Sequence, residues 1–269
     1  MRTLSFEAIE NARELGGLKT RDGRTVRRGT LIRCGNLSRA TDADVERLLR
    51  DFSLSDVVDF RFPAEAGRDP DRIIPGVRYT ALNTLPQRMI DGFSQGRVEG
   101  EQPTNEEFVA QLIHHASNPA AQELARQMYP AILMDSRSQQ YYGDFLRTVL
   151  NARGGVLWHC SQGKDRAGLG TAFLLTALGV DRQTIIDDFD LSNQGFAEPL
   201  AMLSQKVRDM GGDQDALDFI QAMVGVSKKN FTRGLALVDT FFGSVDSYIR
   251  HQLGFSAQEQ ERLREKYLI

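Results

Sequence analysis

The residues best suited to chemistry lie in one short run, His159-Cys160-Ser161-Gln162-Gly163-Lys164-Asp165-Arg166-Ala167-Gly168. A strand-like stretch, Gly155–His159, leads into it, and an apolar helical pattern follows from about Arg166. A polar loop at the carboxyl end of a strand, opening onto a helix, is where α/β folds bind ligands. Five residues separate Cys160 from Arg166, with Gly163 among them, so the loop has room to curl once with its N–H groups inward. The helix N-terminus adds its positive dipole end at the same point. These features make a site for a phosphate-like anion, with Ser161, Gln162, Gly163, Lys164, Ala167 and Gly168 as the candidate phosphate-binding residues.

Two side chains bring reactivity. Thiols at helix N-termini beside arginine ionise at roughly 3.5–7.5 instead of about 8.5, so Cys160 is the candidate nucleophile. Arg166 carries a planar fork that matches two phosphate oxygens, which a lysine would not. His159 is placed to orient the loop through a backbone hydrogen bond. Asp59 and Arg61, at the end of another strand, read as an ion pair that buttresses the site, with a direct phosphate contact for Arg61 as the alternative. Lys164 is either a solvated loop lysine or a contact to an additional substrate phosphate. Arg13 reads as structural.

The elements that must position this loop are legible as short β-branched or aromatic runs. Thr30–Cys34, Ser55–Phe60, Val77–Leu82 and Gly155–His159 are strand-like. Thr41 caps a helix carrying Val45, Leu48 and Leu49 on one face. Asp181 caps another through Asp190, and Ser256 with Glu259 forms a capping box for the last helix. Strands alternating with helices, followed by a helical C-terminal half, predict an α/β fold with a small, largely parallel central sheet flanked by helices. The stretch Asp91–Asn105 reads as a long surface loop ending in a Thr104–Glu107 capping box.

Composition excludes several classes. The chain has 269 residues, 41% hydrophobic and 26% charged, so it is neither disordered nor collagen-like. Thirty-three basic against thirty-six acidic residues leave a net charge of −3 and no global field to hold nucleic acid. Two cysteines build no disulfide framework, and the four histidines share no metal-ligand spacing. Cys34 reads as a small buried hydrophobe, with a resolving disulfide to Cys160 as the sharper alternative. The longest weakly polar stretch, Ala167–Val180, is too short to span a bilayer. No secretory signal pattern opens the chain, so the expected location is cytoplasmic, with export by a signal-independent route as the alternative.

The run HCSQGKDRAG resembles the Cys-x5-Arg signature of the protein-tyrosine phosphatase superfamily. Its Gly163-Lys164-Asp165-Arg166 variant is similar to an atypical bacterial branch that acts on phosphotyrosine, sometimes phosphoserine/threonine, and phosphoinositides. NARELGG (11–17), DGRTVRRGTLIRCGNLS (22–38), VVDFRFPAE (57–65) and the segment 241–268 resemble further blocks of that branch. The resemblance implies a tyrosine-phosphatase-type fold, one phosphatase domain over residues 1–269, and a helical lid at 196–226, where Gly211-Gly212 joins two amphipathic segments. It also implies a phosphocysteine intermediate, no cofactor and no metal, a phosphoprotein or phosphoinositide substrate, and inorganic phosphate as product.

No Trp-Pro-Asp tripeptide supplies a general acid, so the resemblance points to Asp165, with Asp91 as second choice. Relatives usually carry Thr or Ser after the loop arginine, where this chain has Ala167. That hydroxyl helps the sulfur leave, so its loss bears on the second chemical step. Three other functions compete with this one: an inositol-polyphosphate phosphatase, a non-catalytic phosphate-binding module and a sulfurtransferase.

Overall fold

The computed structural model describes residues 2–94, 110 and 113–269. Its centre is a six-stranded sheet of β1 (Arg2–Thr3), β2 (Arg13–Glu14), β3 (Leu31–Cys34), β4 (Leu54–Asp59), β5 (Arg78–Ala81) and β6 (Gly155–His159), in the order β1-β2-β3-β6-β4-β5. The last four in that order run parallel, and only the two-residue strands β1 and β2 are antiparallel. Strands β3 and β6 are buried throughout, as a parallel sheet covered on both faces requires. In register, His159 lies between Cys34 on one side and Asp59 on the other. Three residues with chemical potential thus reach the same edge of the sheet.

Alternation along the strands sorts two cores. Ile32, Cys34, Val57 and Leu157 pack with Leu48 and Phe52 of α1 (Asp42–Phe52). Leu31, Val58, Val156 and Trp158 face the opposite way and pack with α5 (Ser136–Asn151) and α6 (Asp165–Leu178). Helix α6 is apolar all round and buried along nearly its whole length, because the C-terminal helices cover it on the side away from the sheet. Those helices are α7 (Arg182–Asp190), α11 (Val245–His251) and α12 (Ala257–Tyr267), with α10 (Lys228–Phe242) packed on α7 and α11. Between α7 and α10, a 3₁₀ turn at Leu191–Phe196 leads to α8 (Ala197–Asp209) and α9 (Gln214–Val224). This pair has a small apolar cluster of its own, in which Leu203, Val207, Phe219 and Ile220 meet Ile113 and Ala116.

The expected strands lie within a residue of their observed bounds, and the caps at Thr41, Asp181 and Ser256 with Glu259 are all formed. The stretch from Asp91 departs from the loop expectation. Helix α3 (Gln87–Ser94) takes in its first four residues, started after Pro86, anchored by buried Met89 and supported by the Gln87 side chain donating to Asp91, and residues 95–105 lie outside the described ones. The Thr104–Glu107 capping box lies outside the described residues. Among the described residues, no helix is long and apolar enough to cross a membrane. Two further helices are α2 (Pro63–Arg68), which starts directly beyond β4, and α4 (Pro119–Met134), and residues 113–116 are also helical.

Phe145 joins sheet and helix layers, with its ring 5.2 Å from Phe60 and 5.4 Å from Trp158. Phe145→Ala is expected to cost about 3–5 kcal/mol in urea denaturation, because three packed layers cannot collapse into the gap.

Candidate active site

Strand β6 ends at His159, and the chain turns through Cys160–Lys164 before α6 begins at Asp165. Gly163 makes the turn possible. Its φ is +67°, and a Cβ there would stand 2.1 Å from the Cys34 carbonyl oxygen. Gly168 has a similar role one turn into the helix, where a Cβ would meet the Phe189 ring at 2.7 Å. Cys160 is 3% exposed and Ala167 is fully buried. The first turn of α6 is steadied from behind. Trp158 Nε1 donates to the Ala167 carbonyl at 3.2 Å, and Tyr142 donates its hydroxyl to the Arg166 carbonyl at 3.0 Å.

Arg166 is gripped by a residue that motif reading passed over. Its Nη1 and Nη2 donate to the two oxygens of Glu65 at 2.6 and 2.8 Å, and Nη1 also reaches the Phe60 carbonyl at 3.4 Å. Ser161 donates its hydroxyl to the same carboxylate at 2.8 Å. Burial alone pushes Glu65 up, but the Arg166 hydrogen bonds and charge, with Ser161 and the Phe62 N–H, hold it below the usual carboxylate range. The same pairing raises Arg166 against the pull of burial. Of the five guanidinium N–H groups, Nε–H and one on Nη2 have no partner among the described residues. That side-on pair matches two phosphate oxygens. The signal for Glu65 was present in Phe62-Pro63-Ala64-Glu65, a helix start placed at the carboxyl end of β4.

Asp165 stands in the first turn of α6 and accepts a 2.5 Å hydrogen bond from Tyr129. Tyr129 is buried, and its hydroxyl is pushed well up by burial and by Asp165 beside it. No local sequence signal linked this α4 tyrosine to the loop. Asp91, by contrast, lies on α3 with its carboxylate bound to Gln87 of its own helix. Lys164 is not the solvated lysine that a polar loop suggests, being 3% exposed. Its Nζ donates to the carbonyls of Met223 and Val224 at the end of α9 and sits 4.8 Å over the Phe196 ring. Burial pulls its ammonium below the ordinary lysine range, opposed by Asp165 and Cys160.

Behind the loop, His159 Nδ1 lies 3.1 Å from the Cys160 carbonyl, and Nε2 faces Asp71 Oδ2 at 3.1 Å. Asp71 also accepts from the Leu37 N–H and from Arg61 at 2.7 Å. Burial pushes Asp71 up, and His159, the Leu37 N–H and Arg61 outweigh it and hold the carboxyl low. The guanidinium of Arg61 is engaged by Asp59, Asp71 and the Asp69 carbonyl. Asp59, Asp71 and His159 are close enough to share a cation, but the Arg61 guanidinium already occupies that place, donating to both carboxylates. The residues therefore fit an ion-pair network better than a metal. Cys34 is fully buried and its thiol is pushed well up by burial, then by Asp71 and Cys160.

A four-stranded parallel core carrying a Cys-x5-Arg loop between strand and buried helix is the framework of a cysteine-type phosphatase. The profile of the tyrosine phosphatase family matches residues 4–269, and the chain belongs to that family. It is 32% identical over 255 residues to a Cupriavidus necator protein that carries a provisional tyrosine-protein phosphatase name, covering 93% of this chain and 84% of that one. It is 26% identical over 264 residues to the triple specificity protein phosphatase PtpB of Mycobacterium tuberculosis, covering 89% and 91%. The chain is thus a tyrosine-phosphatase family enzyme, and its substrates are phosphorylated.

The Glu65–Arg166 pair makes a pH-dependent contribution to stability. Because folding lowers the Glu65 pKa, that contribution is fully present above its ordinary value of 4.5 and declines as pH falls below it. Urea denaturation of the native protein and Glu65→Gln is expected to show their largest difference near neutral pH. The difference should shrink progressively below about pH 4.5.

Proposed function

We propose that the enzyme hydrolyses phosphate monoesters through a phosphocysteine at Cys160. The thiolate attacks phosphorus, the bond to the leaving oxygen breaks, and Asp165 protonates that oxygen. Water then attacks the phosphocysteine, giving its proton to Asp165, and inorganic phosphate leaves as the thiolate is restored. Arg166, through its side-on N–H pair, and the amides of Ser161–Lys164 and Ala167 stabilise the equatorial oxygens, whereas the Gly168 N–H is taken by the Lys164 carbonyl at 2.8 Å, so Gly168 serves by its close packing instead. Asp59, Arg61 and His159 support the loop from behind.

The observation that carries this reading is the Arg166 guanidinium, held end-on by Glu65 with its side edge unpartnered, in the same loop as Cys160. A carboxylate that fixes the fork before substrate binds removes reorganisation from the reaction. For Asp165 as the acid, the supporting observation is the Tyr129 hydrogen bond that restrains it at the mouth of the loop. The bond that Asp91 accepts comes from Gln87 of its own helix and does not tie it to the loop.

Phosphotyrosine is the expected principal substrate. A wider range, taking in phosphoserine/threonine and phosphoinositides, is supported by the triple-specificity name of the Mycobacterium tuberculosis relative. We read the whole chain as one phosphatase domain and residues 196–226 as a cover over the loop. Support for the cover comes from the separate apolar cluster of α8 and α9 and from the Lys164 contacts to the end of α9.

Turnover measured side by side on phosphotyrosine peptide, phosphoserine peptide and phosphoinositide vesicles tests the range. Cys160→Ser is expected to abolish turnover on all three and to keep phosphate binding. Asp165→Asn is expected to slow alkyl phosphates by roughly 10²–10⁴-fold while sparing activated aryl phosphates. Equal losses across the leaving-group series would remove Asp165 from the role of acid.

Ala167 generates a separate expectation. Its methyl offers the departing sulfur no hydrogen bond, and the hydroxyls bonded to this turn are engaged elsewhere: Thr171 donates to the Ala167 carbonyl at 2.8 Å, Tyr142 to the Arg166 carbonyl and Tyr129 to Asp165. Breakdown of the phosphocysteine is therefore expected to limit turnover, with a burst of phenol in rapid mixing. Ala167→Thr should shrink the burst and raise the steady rate by up to about tenfold. Absence of a burst in the native enzyme would show that the loop amides alone expel the thiolate.

A further inference from the structure

We propose that Asn11, Arg33 and Asn36, with Asp188 behind the first two, are positioning residues that hold the Cys160–Arg166 loop in its anion-binding form before substrate arrives. The inference rests on the reading of that loop as the phosphoryl site. In a planar peptide the carbonyl and the following N–H point opposite ways. A loop can therefore aim its amides inward only if its carbonyls are satisfied outside.

Those outside partners are present one after another. Ser161 O accepts from the Asn36 backbone N–H at 3.1 Å and from Asn36 Nδ2 at 3.0 Å. Gln162 O accepts from Asn11 Nδ2 at 3.0 Å. Gly163 O and Lys164 O accept from Arg33 Nη2 at 2.8 and 2.9 Å. Three consecutive carbonyls, Ser161 to Gly163, are thus turned outward by three residues of the N-terminal segment, and Lys164 O is shared between Arg33 and the Gly168 N–H of the helix. The N–H groups of Gln162, Gly163, Lys164 and Asp165 are left facing the other way.

The outer residues are themselves fixed. Asp188 accepts from Arg33 Nη1 at 2.6 Å and from Arg13 Nε at 3.2 Å. Arg13 in turn donates to the Asn11 side-chain oxygen at 2.5 Å, which orients Nδ2 toward the loop, and to Ser192 Oγ at 2.9 Å. Asn11 keeps a left-handed backbone, φ +53°, a conformation that needs a local reason in a non-glycine residue. Two buried guanidiniums share one carboxylate, so a net positive charge remains behind the loop. Burial, with Arg33 beside it, pulls the Arg13 guanidinium down to about 10. A buried excess of positive charge is costly alone and is relieved by an anion in the loop.

The decisive variant is Asn11→Gly. Glycine accepts the positive φ without strain, and the variant removes the carboxamide contact to Gln162 together with the bond it accepts from Arg13, which keeps Asp188 and Ser192. Two readouts are taken alongside a urea midpoint. One is inhibition by inorganic phosphate, and the other is the pH dependence of Cys160 alkylation by iodoacetamide. Asn11→Gly is expected to weaken phosphate by about two- to tenfold and to move the alkylation midpoint to higher pH, because fewer inward amides stabilise the thiolate. The urea midpoint should hold. Asp188→Asn should move both readouts further in the same direction. Since it removes a buried charge and threatens the fold, Asn11→Gly decides. Native phosphate affinity and an unshifted alkylation profile in Asn11→Gly would overturn the inference. Native enzyme that binds no phosphate would overturn the reading of the loop itself, and this inference with it.

Discussion

The close approach of Gly163 to the end of β3 is the constraint on which the rest of the site depends. With the Cys34 carbonyl where a Cβ would stand, the loop lies directly against the sheet instead of arching over it. That contact brings the loop within reach of residues from β3 and the turn after it. It also sets the angle at which α6 leaves, and Gly168 lets α6 press against Phe189 one turn later. A side chain at either glycine would lift loop or helix away, and Cys160, Asp165 and Arg166 would lose their common geometry together.

The buried arginines around the loop are paired with carboxylates. Glu65 takes Arg166, Asp59 and Asp71 take Arg61, and Asp188 takes Arg13 and Arg33. Buried ion pairs of this kind add little net stability compared with apolar packing, but breaking one by removing a partner is expensive. Here they surround a loop that must receive a doubly charged group in low dielectric. Fixed dipoles and charges do this without reorganising when the substrate enters. The Glu65 fork and the Asp71 cluster reach the loop from the β4 side, while Asp188 reaches it from the helical half.

Lys164 ties the loop to the second half of the chain in another way. Its ammonium finds the last carbonyls of α9, which lack intrahelical donors, and the face of Phe196. The helix pair α8–α9 packs on its own small cluster and not within the main core. A single lysine therefore links the anion-binding loop to the part of the structure least committed to the sheet.

The sequence by itself determined the loop, the strands and the apolar run that buries α6. Each is a local pattern: Cys-x5-Arg around Gly163, β-branched runs of strand length, and caps at Thr41, Asp181 and Ser256. It identified the family through those same residues. The short strands β1 and β2 escaped notice because two residues carry no periodicity, and α3 was hidden by glycine and serine at its end. Partners distant in the chain were not legible at all. Glu65 meets Arg166 across 101 residues, Tyr129 meets Asp165 across 36, and Arg33 meets Asp188 across 155. A carboxylate near a strand end has no signature that distinguishes solvent from a guanidinium until the parallel register of β3, β6 and β4 sets both at one edge. The same is true of Lys164, which the sequence left between solvent and a second substrate phosphate and which tertiary packing placed against α9. Sequence specified which groups could react, and only the fold decided which charges they would face, because Coulomb energies and hydrogen bonds depend on distance in space and not along the chain.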